Sequence, residues 1–247
     1  MRIVTAALLV PLLAIGSGAH AAHPLISEDT GTQGGGKYEL ELGTQFATGG
    51  GHVFELDPQL SYGVRDDVDF IVRPSLLWLS GDAADAAGRS RGFGSTALDV
   101  KWRAWSSDPV SLGTRAGLDL PTASPGLGSN GVGAHAIAVA TYETPGALAT
   151  ANAAYTRLGD DAGGALRRDL LRVSAAFVRE VRADVRLAIE AAAFSHPDPA
   201  VARWPAVVLV GAIAHLPIGV DVDVGYQAGL NRATPASVWL AGMTLRW

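Results

Sequence analysis

Ionisable side chains in this sequence recur at every second position, with apolar residues between them. Glu39 and Glu41 flank Leu40, and the same spacing returns near the end of the chain. An extended chain places alternate residues on opposite faces, so the charged groups share one face. Charged groups that leave bulk water must pair with one another or stay hydrated. The residues that this pattern nominates as the lining of a hydrated lumen are Glu39, Glu41, Glu55, Asp57, Asp69, Arg73, Asp99, Lys101, Arg103, Arg115, Asp119, Arg186, Glu190, Asp221 and Asp223.

Two interpretations of this charged face are compatible with each other. The groups can form a lattice of ion pairs that only holds the wall together, or they can line a selective pathway for a solute. The sequence leaves both open.

No motif for covalent or metal-assisted chemistry accompanies these charges. The chain contains no GxSxG, HExxH, P-loop or EF-hand pattern, and the glycine-rich stretch 126–131 opens no helix. Its central histidines (His52, His135, His196 and His215) are scattered, and the absence of cysteine excludes disulfides and thiolate metal sites. We therefore expect no enzyme, no cofactor and no bound metal.

The overall charge also limits the partners. The 247 residues carry a formal net charge of −5, and the basic residues form no cluster. Nucleic acid is therefore not an expected partner.

The first 21 residues are typical of a secretory signal peptide. Arg2 supplies a positive start, residues 3–15 form a short apolar run, and Ala19-His20-Ala21 fits a cleavage site with small residues. The alternative is a membrane anchor, but the apolar run is shorter than the roughly 20 residues that a spanning helix needs. We expect cleavage after Ala21 and export of the remaining chain.

The exported chain divides into a polar, glycine-rich and irregular segment, 22–36, and a β-domain, 37–247. Alternation of apolar and polar residues predicts strands, and Pro58 in the middle of the second strand suggests a bulge there. The predicted strands are 37–47, 54–64, 68–79, 93–105, 110–120, 132–143, 147–158, 169–180, 184–194, 205–216, 219–230 and 237–247.

Three features favour a transmembrane barrel over a soluble β-sandwich. The strands are longer than the roughly 5 to 6 residues usual in soluble proteins. Aromatic residues lie near strand ends on the apolar face, as in the girdles of outer-membrane barrels. The chain ends in an alternating strand that closes on Trp247. The sequence thus predicts an all-β fold, a single antiparallel barrel of about 12 strands.

The least certain region of this barrel is 162–193, where the apolar residues also fit a helical spacing. Val185, Leu187 and Ile189 alternate with Arg186 and Glu190, and we interpret the region as two strands.

Several short segments resemble members of the family called putative MetA-pathway of phenol degradation. They are residues 23–34, residues 37–41, Leu120-Pro121-Thr122, Gly225-Tyr226 and Gly229-Leu230. This chain has Ala123 where the family pattern has a glycine. The resemblance implies an outer-membrane barrel that takes up aromatic or other hydrophobic compounds, and it assigns no functional residue.

The function expected is a passive outer-membrane channel for small molecules, possessing a narrow charged lumen. Its partners are the lipid of the outer membrane, a small solute, and the barrel-assembly machinery, which recognises a C-terminal strand such as that ending at Trp247. The alternatives are a structural or adhesive barrel and an outer-membrane hydrolase. Residues 22–36 are either a plug folded into the lumen or a loose periplasmic tail.

Overall fold

A computed structural model describes residues 23–48, 51–159, 167–196, 204–231, 234 and 237–247. The predicted signal peptide lies outside these residues. Fourteen strands and one short helix occur in the described part of the chain. The strands are β1 (Tyr38–Thr48), β2 (His52–Arg65), β3 (Val68–Arg73), β4 (Leu76–Ser80), β5 (Arg91–Phe93), β6 (Thr96–Ser107), β7 (Val110–Leu120), β8 (Gly133–Thr144), β9 (Ala147–Arg157), β10 (Asp169–Arg182), β11 (Val185–Phe194), β12 (Ala206–Leu216), β13 (Val220–Gly229) and β14 (Ser237–Arg246), and the helix is α1 (Asp82–Ala87) between β4 and β5.

The strands form one antiparallel sheet that closes on itself. Each strand from β6 to β14 pairs with its neighbour in the chain, and β1 pairs with both β2 and β14. Strands β3 and β4 follow one another along β2, and β5 and β6 likewise occupy one position in the wall. The wall therefore has twelve positions, and the predicted barrel of 12 strands is confirmed.

The residues that alternate along the sequence lie on the outer and the inner face of the barrel in turn. On β11, Ile189 is 50% exposed on the outer face, whereas the next residue, Glu190, is 1% exposed on the inner face. The outer face carries large apolar residues along its whole circumference, which is the surface that lipid requires. Exposed aromatic residues on this face include Tyr38, Phe46, Phe54, Tyr62, Trp78, Trp102, Tyr142, Tyr155, Tyr226 and Trp239.

The region of ambiguous spacing contains strands. Strands β10 and β11 pair through most of their length and close the wall between β9 and β12. The interpretation of 162–193 as strands is therefore confirmed where the structure describes it.

The wall departs from the predicted strands where β2 meets its next neighbour. The predicted bulge at Pro58 is wrong, because β2 runs through Pro58 in unbroken register with β1. The partner strand is interrupted instead, ending at Arg73 and resuming at Leu76. Proline lacks an N–H and cannot donate to a ladder, so Pro74 ends the pairing where it occurs.

The predicted loop 80–92 contains the six-residue helix α1, which ends at Gly88 in a left-handed conformation, φ 66°. No helix in the described ranges is long and apolar enough to span a membrane.

Candidate channel lumen

The nominated charged residues all lie on the inner face, and none of them is exposed. Their lining of a solute pathway remains a prediction. The buried members are Glu39, Asp69, Asp99, Arg115, Glu190, Asp221 and Asp223, and the half-buried members are Glu41, Glu55, Asp57, Arg73, Lys101, Arg103, Asp119 and Arg186.

One cluster of these charges centres on Arg115. Its guanidinium contacts the carboxylates of Asp99 on β6 and Glu28 at 2.5 Å each, and it donates to Gln59 on β2 at 2.9 Å. Lys101 lies beside it, with its Nζ 3.3 Å from Glu28 and 3.2 Å from Asp29. A buried charge without a partner is costly, so these contacts fix each group in place.

A second cluster centres on Asp221 at the end of the barrel where the chain terminates. Arg246 donates to Asp221 at 2.8 Å and to Glu39 at 2.6 Å, which links β14 to its neighbours β13 and β1. Arg186 and His215 also contact Asp221, at 3.1 Å and 2.7 Å. Arg246 was not nominated from the sequence, although it lies on the charged face of the final strand.

The interior is occupied by the N-terminal segment, which we define as residues 23–36. It contains neither helix nor strand and runs around the inner wall, meeting the strands in descending order. The backbone N–H groups of Ile26 and Ser27 donate to Glu190 on β11, both at 2.7 Å. The N–H of Glu28 then donates to Asn152 on β9 at 2.6 Å.

The second half of the segment continues this circuit to β1. Thr30 contacts the hydroxyls of Thr141 on β8 and Ser111 on β7, at 3.1 Å and 2.5 Å. The N–H of Gln33 donates to Asp69 on β3, and its side chain donates to Glu39 at 2.7 Å. These wall contacts show the segment bound within the barrel.

The first residues of the segment fit into a row of inner-wall glycines. A Cβ on Gly211 or Gly225 would come within 2.7 or 2.8 Å of the ring of Pro24, so neither position has room for a side chain. His23 lies equally close to Gly43 on β1 and Gly242 on β14, and its Nδ1 is 2.6 Å from Asp223. Because these four positions carry no side chain, the inner wall has room for His23 and Pro24.

Leu25 adds an apolar contact to that of Pro24. It packs against Leu148, Val178 and Ala188 and also against the cluster of Leu209 and Leu240. These inner-face residues were not nominated, because the sequence search followed charge alone.

Glu28 is held ionised within this arrangement. Burial by itself raises the pKa of this carboxyl, but the nearby charges of Arg115 and Lys101 outweigh it and lower the pKa to about 2. The segment therefore carries a fixed negative charge into the lumen.

A cavity of about 340 Å³ lies elsewhere inside the wall. Glu55, Asp57 and Asp119 line it together with Arg73, and Leu77 and Leu127 contribute apolar surface. No residue of the N-terminal segment lines this cavity.

Two histidines of the wall lie in contact with carboxylates. His135 lies between Asp99 and Asp119, at 2.9 Å and 3.1 Å, and His215 is paired with Asp221. Within the described ranges, no three His, Asp or Glu side chains are grouped to hold a metal ion.

Several solved outer-membrane proteins share this fold at low sequence identity. The COG4313 outer membrane channel from Pseudomonas putida F1 is 14% identical, with a TM-score of 0.69, covering 90% of this chain and 100% of its own. The NanC porin is 11% identical, with a TM-score of 0.62 and coverage of 83% and 98%. The KdgM porin is 9% identical, with a TM-score of 0.58 and coverage of 84% and 98%.

A search of curated protein sequences finds no match. A family model does match, and it extends over residues 27–247, which include most of the N-terminal segment and the whole barrel. The chain therefore belongs to the family described as putative MetA-pathway of phenol degradation.

Proposed function

We propose that this protein is an outer-membrane channel for small molecules and that the N-terminal segment closes its lumen at rest. The observation that carries the proposal is the circuit of this segment around the inner wall. A barrel whose only task is structural has no need of an interior shaped by glycines to a separate, non-strand segment.

The bonding of the segment suits a closure that can open. Most of its contacts are hydrogen bonds and ion pairs to polar wall groups, which water can replace when the segment leaves. Pro24 and Leu25 make apolar contacts with the wall. Twelve positions in the wall also give a barrel between the filled barrels of 8 strands and the open porins of 16 or more.

Location and assembly follow from the same proposal. The signal peptide at 1–21 would direct export, and the exposed apolar band would lie in the outer membrane. The strand β14 and Trp247 would be recognised by the barrel-assembly machinery. The family description, which names phenol degradation, supports small aromatic compounds as the solute. We propose that they pass by passive diffusion.

The test is the removal of residues 23–33, which leaves Gly34–Gly36 and the start of β1 intact. Conductance in planar lipid bilayers should rise in the shortened protein, because the groups that fill the lumen are gone. Heat-modifiable gel migration of both proteins would verify that the barrel is closed. Equal conductance of the two folded proteins would contradict closure by the segment.

A deletion strain tests the channel itself. Loss of the gene should slow uptake of small aromatic solutes. If purified protein gives no conductance in either form, and the deletion strain has no uptake defect, the channel function is wrong.

A further inference from the structure

Arg172 on β10 differs from the other arginines on the inner face of the described strands. The guanidinium groups of the others contact a carboxylate or a backbone carbonyl of the protein, and these residues are Arg73, Arg103, Arg115, Arg186 and Arg246. Arg172 has no hydrogen bond or ion pair within the part of the chain that the structure describes, and its Nε atom is buried. A buried cation without a partner is costly. The wall therefore presents a cation to which the described chain supplies no oxygen.

The carboxylates that attract Arg172 through space are bound to other groups. Glu28 and Glu190 both act on its charge, but neither contacts it. Glu190 lies opposite β10 four residues away from Arg172, and its two oxygens accept hydrogen bonds from backbone N–H groups of the N-terminal segment at 2.7 Å. Glu28 contacts Arg115. The guanidinium of Arg172 is therefore available to an anion that enters from outside.

The inner wall around Arg172 is apolar and includes an aromatic ring. Arg172 faces Ala154 on β9 and Phe194 on β11. Facing residues of an antiparallel pair lie on the same side of the sheet, with Cβ atoms about 4.5–5.5 Å apart, so the ring of Phe194 lies beside the guanidinium on the inner face. The next inner-face position beyond it carries the buried residues Ala192 and Val207. This stretch of wall thus combines one cation with apolar surface.

Arg172 lies on the extracellular side of the N-terminal segment. Residues 183–184 alone connect β10 to β11, whereas 158–168 connect β9 to β10. Outer-membrane barrels have short periplasmic turns and longer extracellular loops, so the start of β10, near Arg172, is its extracellular end. Ser174, two residues further into the lumen, accepts a hydrogen bond from Ser27 at 2.8 Å. A solute that enters from outside the cell therefore meets Arg172 before it meets the segment.

We propose that Arg172 and Phe194 form a binding site for small aromatic carboxylates in the extracellular half of the lumen. This inference rests on the proposed channel function and names its solute class. A carboxylate accepts two parallel hydrogen bonds from a guanidinium, and this pairing is stronger where the surroundings exclude water. The ring of the solute packs against Phe194 and the apolar wall beside it. Recognition thus requires a negative charge and an aromatic ring in one molecule.

The experiment measures binding to the purified exported protein in detergent micelles by isothermal titration calorimetry. The probes are benzoate, benzyl alcohol, which has the ring without the charge, and acetate, which has the charge without the ring. The variants are Arg172→Gln, Arg172→Lys and Phe194→Ala. The matched control, Arg179→Gln, removes an exposed arginine from the outer face of the same strand. Heat-modifiable migration checks that each variant is folded, and Arg172→Gln should fold because it leaves no protein carboxylate without its partner.

The wild type should bind benzoate about tenfold more tightly than either of the other probes, because each of them lacks one of the two contacts. Arg172→Gln should abolish the preference for benzoate over benzyl alcohol. Arg172→Lys should keep part of it, because lysine retains the charge but not the planar fork. Phe194→Ala should weaken the binding of benzoate and leave that of acetate unchanged, and Arg179→Gln should match the wild type.

Equal binding of benzoate by the wild type and Arg172→Gln, or no binding of benzoate by the folded wild type, overturns the site. The channel still stands in that case if deletion of 23–33 raises the conductance. Benzoate binding that depends on Arg172, in a protein that gives no conductance and whose loss causes no uptake defect, supports the site and overturns the channel.

Discussion

The inner wall of this barrel has two sectors of different composition. The charged sector is the inner face of β1, β2, β3, β6 and β7, where buried groups such as Asp69, Asp99 and Arg115 predominate. The apolar sector is the inner face of β8 to β12, which carries most of the buried apolar side chains, including Leu148 and Leu209, together with polar groups such as Glu190. The N-terminal segment contacts both sectors, through different residues.

The contrast shows how a single segment can be held firmly and still be released. Leu25 packs on the apolar sector, and its apolar contacts depend little on salt or pH. Glu28 and Asp29 bind Lys101 and Arg115 in the charged sector, and these contacts respond to both. Release is therefore expected to begin in the charged sector.

The largest effect is expected from Arg115→Met. This change leaves Asp99 and Glu28 without their main cation, and removal of one partner from a buried pair costs about 3–5 kcal/mol. The measurement uses Ile26→Cys as the sole thiol and follows its labelling by a bulky maleimide. Labelling should be much faster in the Arg115→Met background, and an unchanged rate would contradict the role given to this cluster.

The next largest effect is expected from Gly225→Ala. The added methyl group would come within 2.8 Å of Pro24, and such overpacking costs about 1–3 kcal/mol. The thiol at position 26 should label faster than in the parent. Gly219→Ala is no matched control because Gly219 has φ 80°, so Ala138→Gly on the outer face serves instead. Equal effects of the two changes would show general destabilisation.

A smaller effect is expected from Leu25→Ala. Leu25 is only partly buried, and loss of its contacts should cost about 1–2 kcal/mol. Labelling should accelerate modestly, and the acceleration should not depend on salt. A strong dependence of this acceleration on salt would contradict the assignment of the Leu25 contacts to the apolar sector.

The smallest effect on labelling is expected from lowering the pH. The pKa of Glu28 lies at about 2, below its ordinary value of 4.5, so its contribution to binding of the segment is complete above pH 4.5. That contribution is lost as the pH falls from 4.5 towards 2. The difference in labelling rate between the Glu28→Gln variant and its parent, measured with a thiol reagent that works in acid, should be constant from pH 7 to 5 and shrink below that.

The barrel could be predicted from the sequence because its alternation is local. Glu39, Leu40 and Glu41 already show which face is inner, and each short turn fixes the pairing of the next strand. The same reasoning missed the path of residues 23–36, because hydrogen bonds from backbone N–H groups to Glu190 and Asn152 leave no pattern in the sequence.

Other features were open to prediction but not drawn. Pro58 and Pro74 lie eight residues to either side of Asp66, so a hairpin turning there brings them face to face. Arg246 alternates with Trp247 and shares the inner face with Thr244. The apolar sector was missed because Leu148 and Leu209 give no sign of which side of the wall they occupy until the register is known.

The position of His23 has a consequence for biogenesis. Its ring reaches Asp223 on β13, and its backbone N–H is 3.5 Å from Glu41 on β1, so its binding site is built from opposite ends of the chain. That site does not exist until β1 has paired with β14. His23 is therefore expected to dock only after the barrel has closed, so that its contact with Asp223 marks a completed wall.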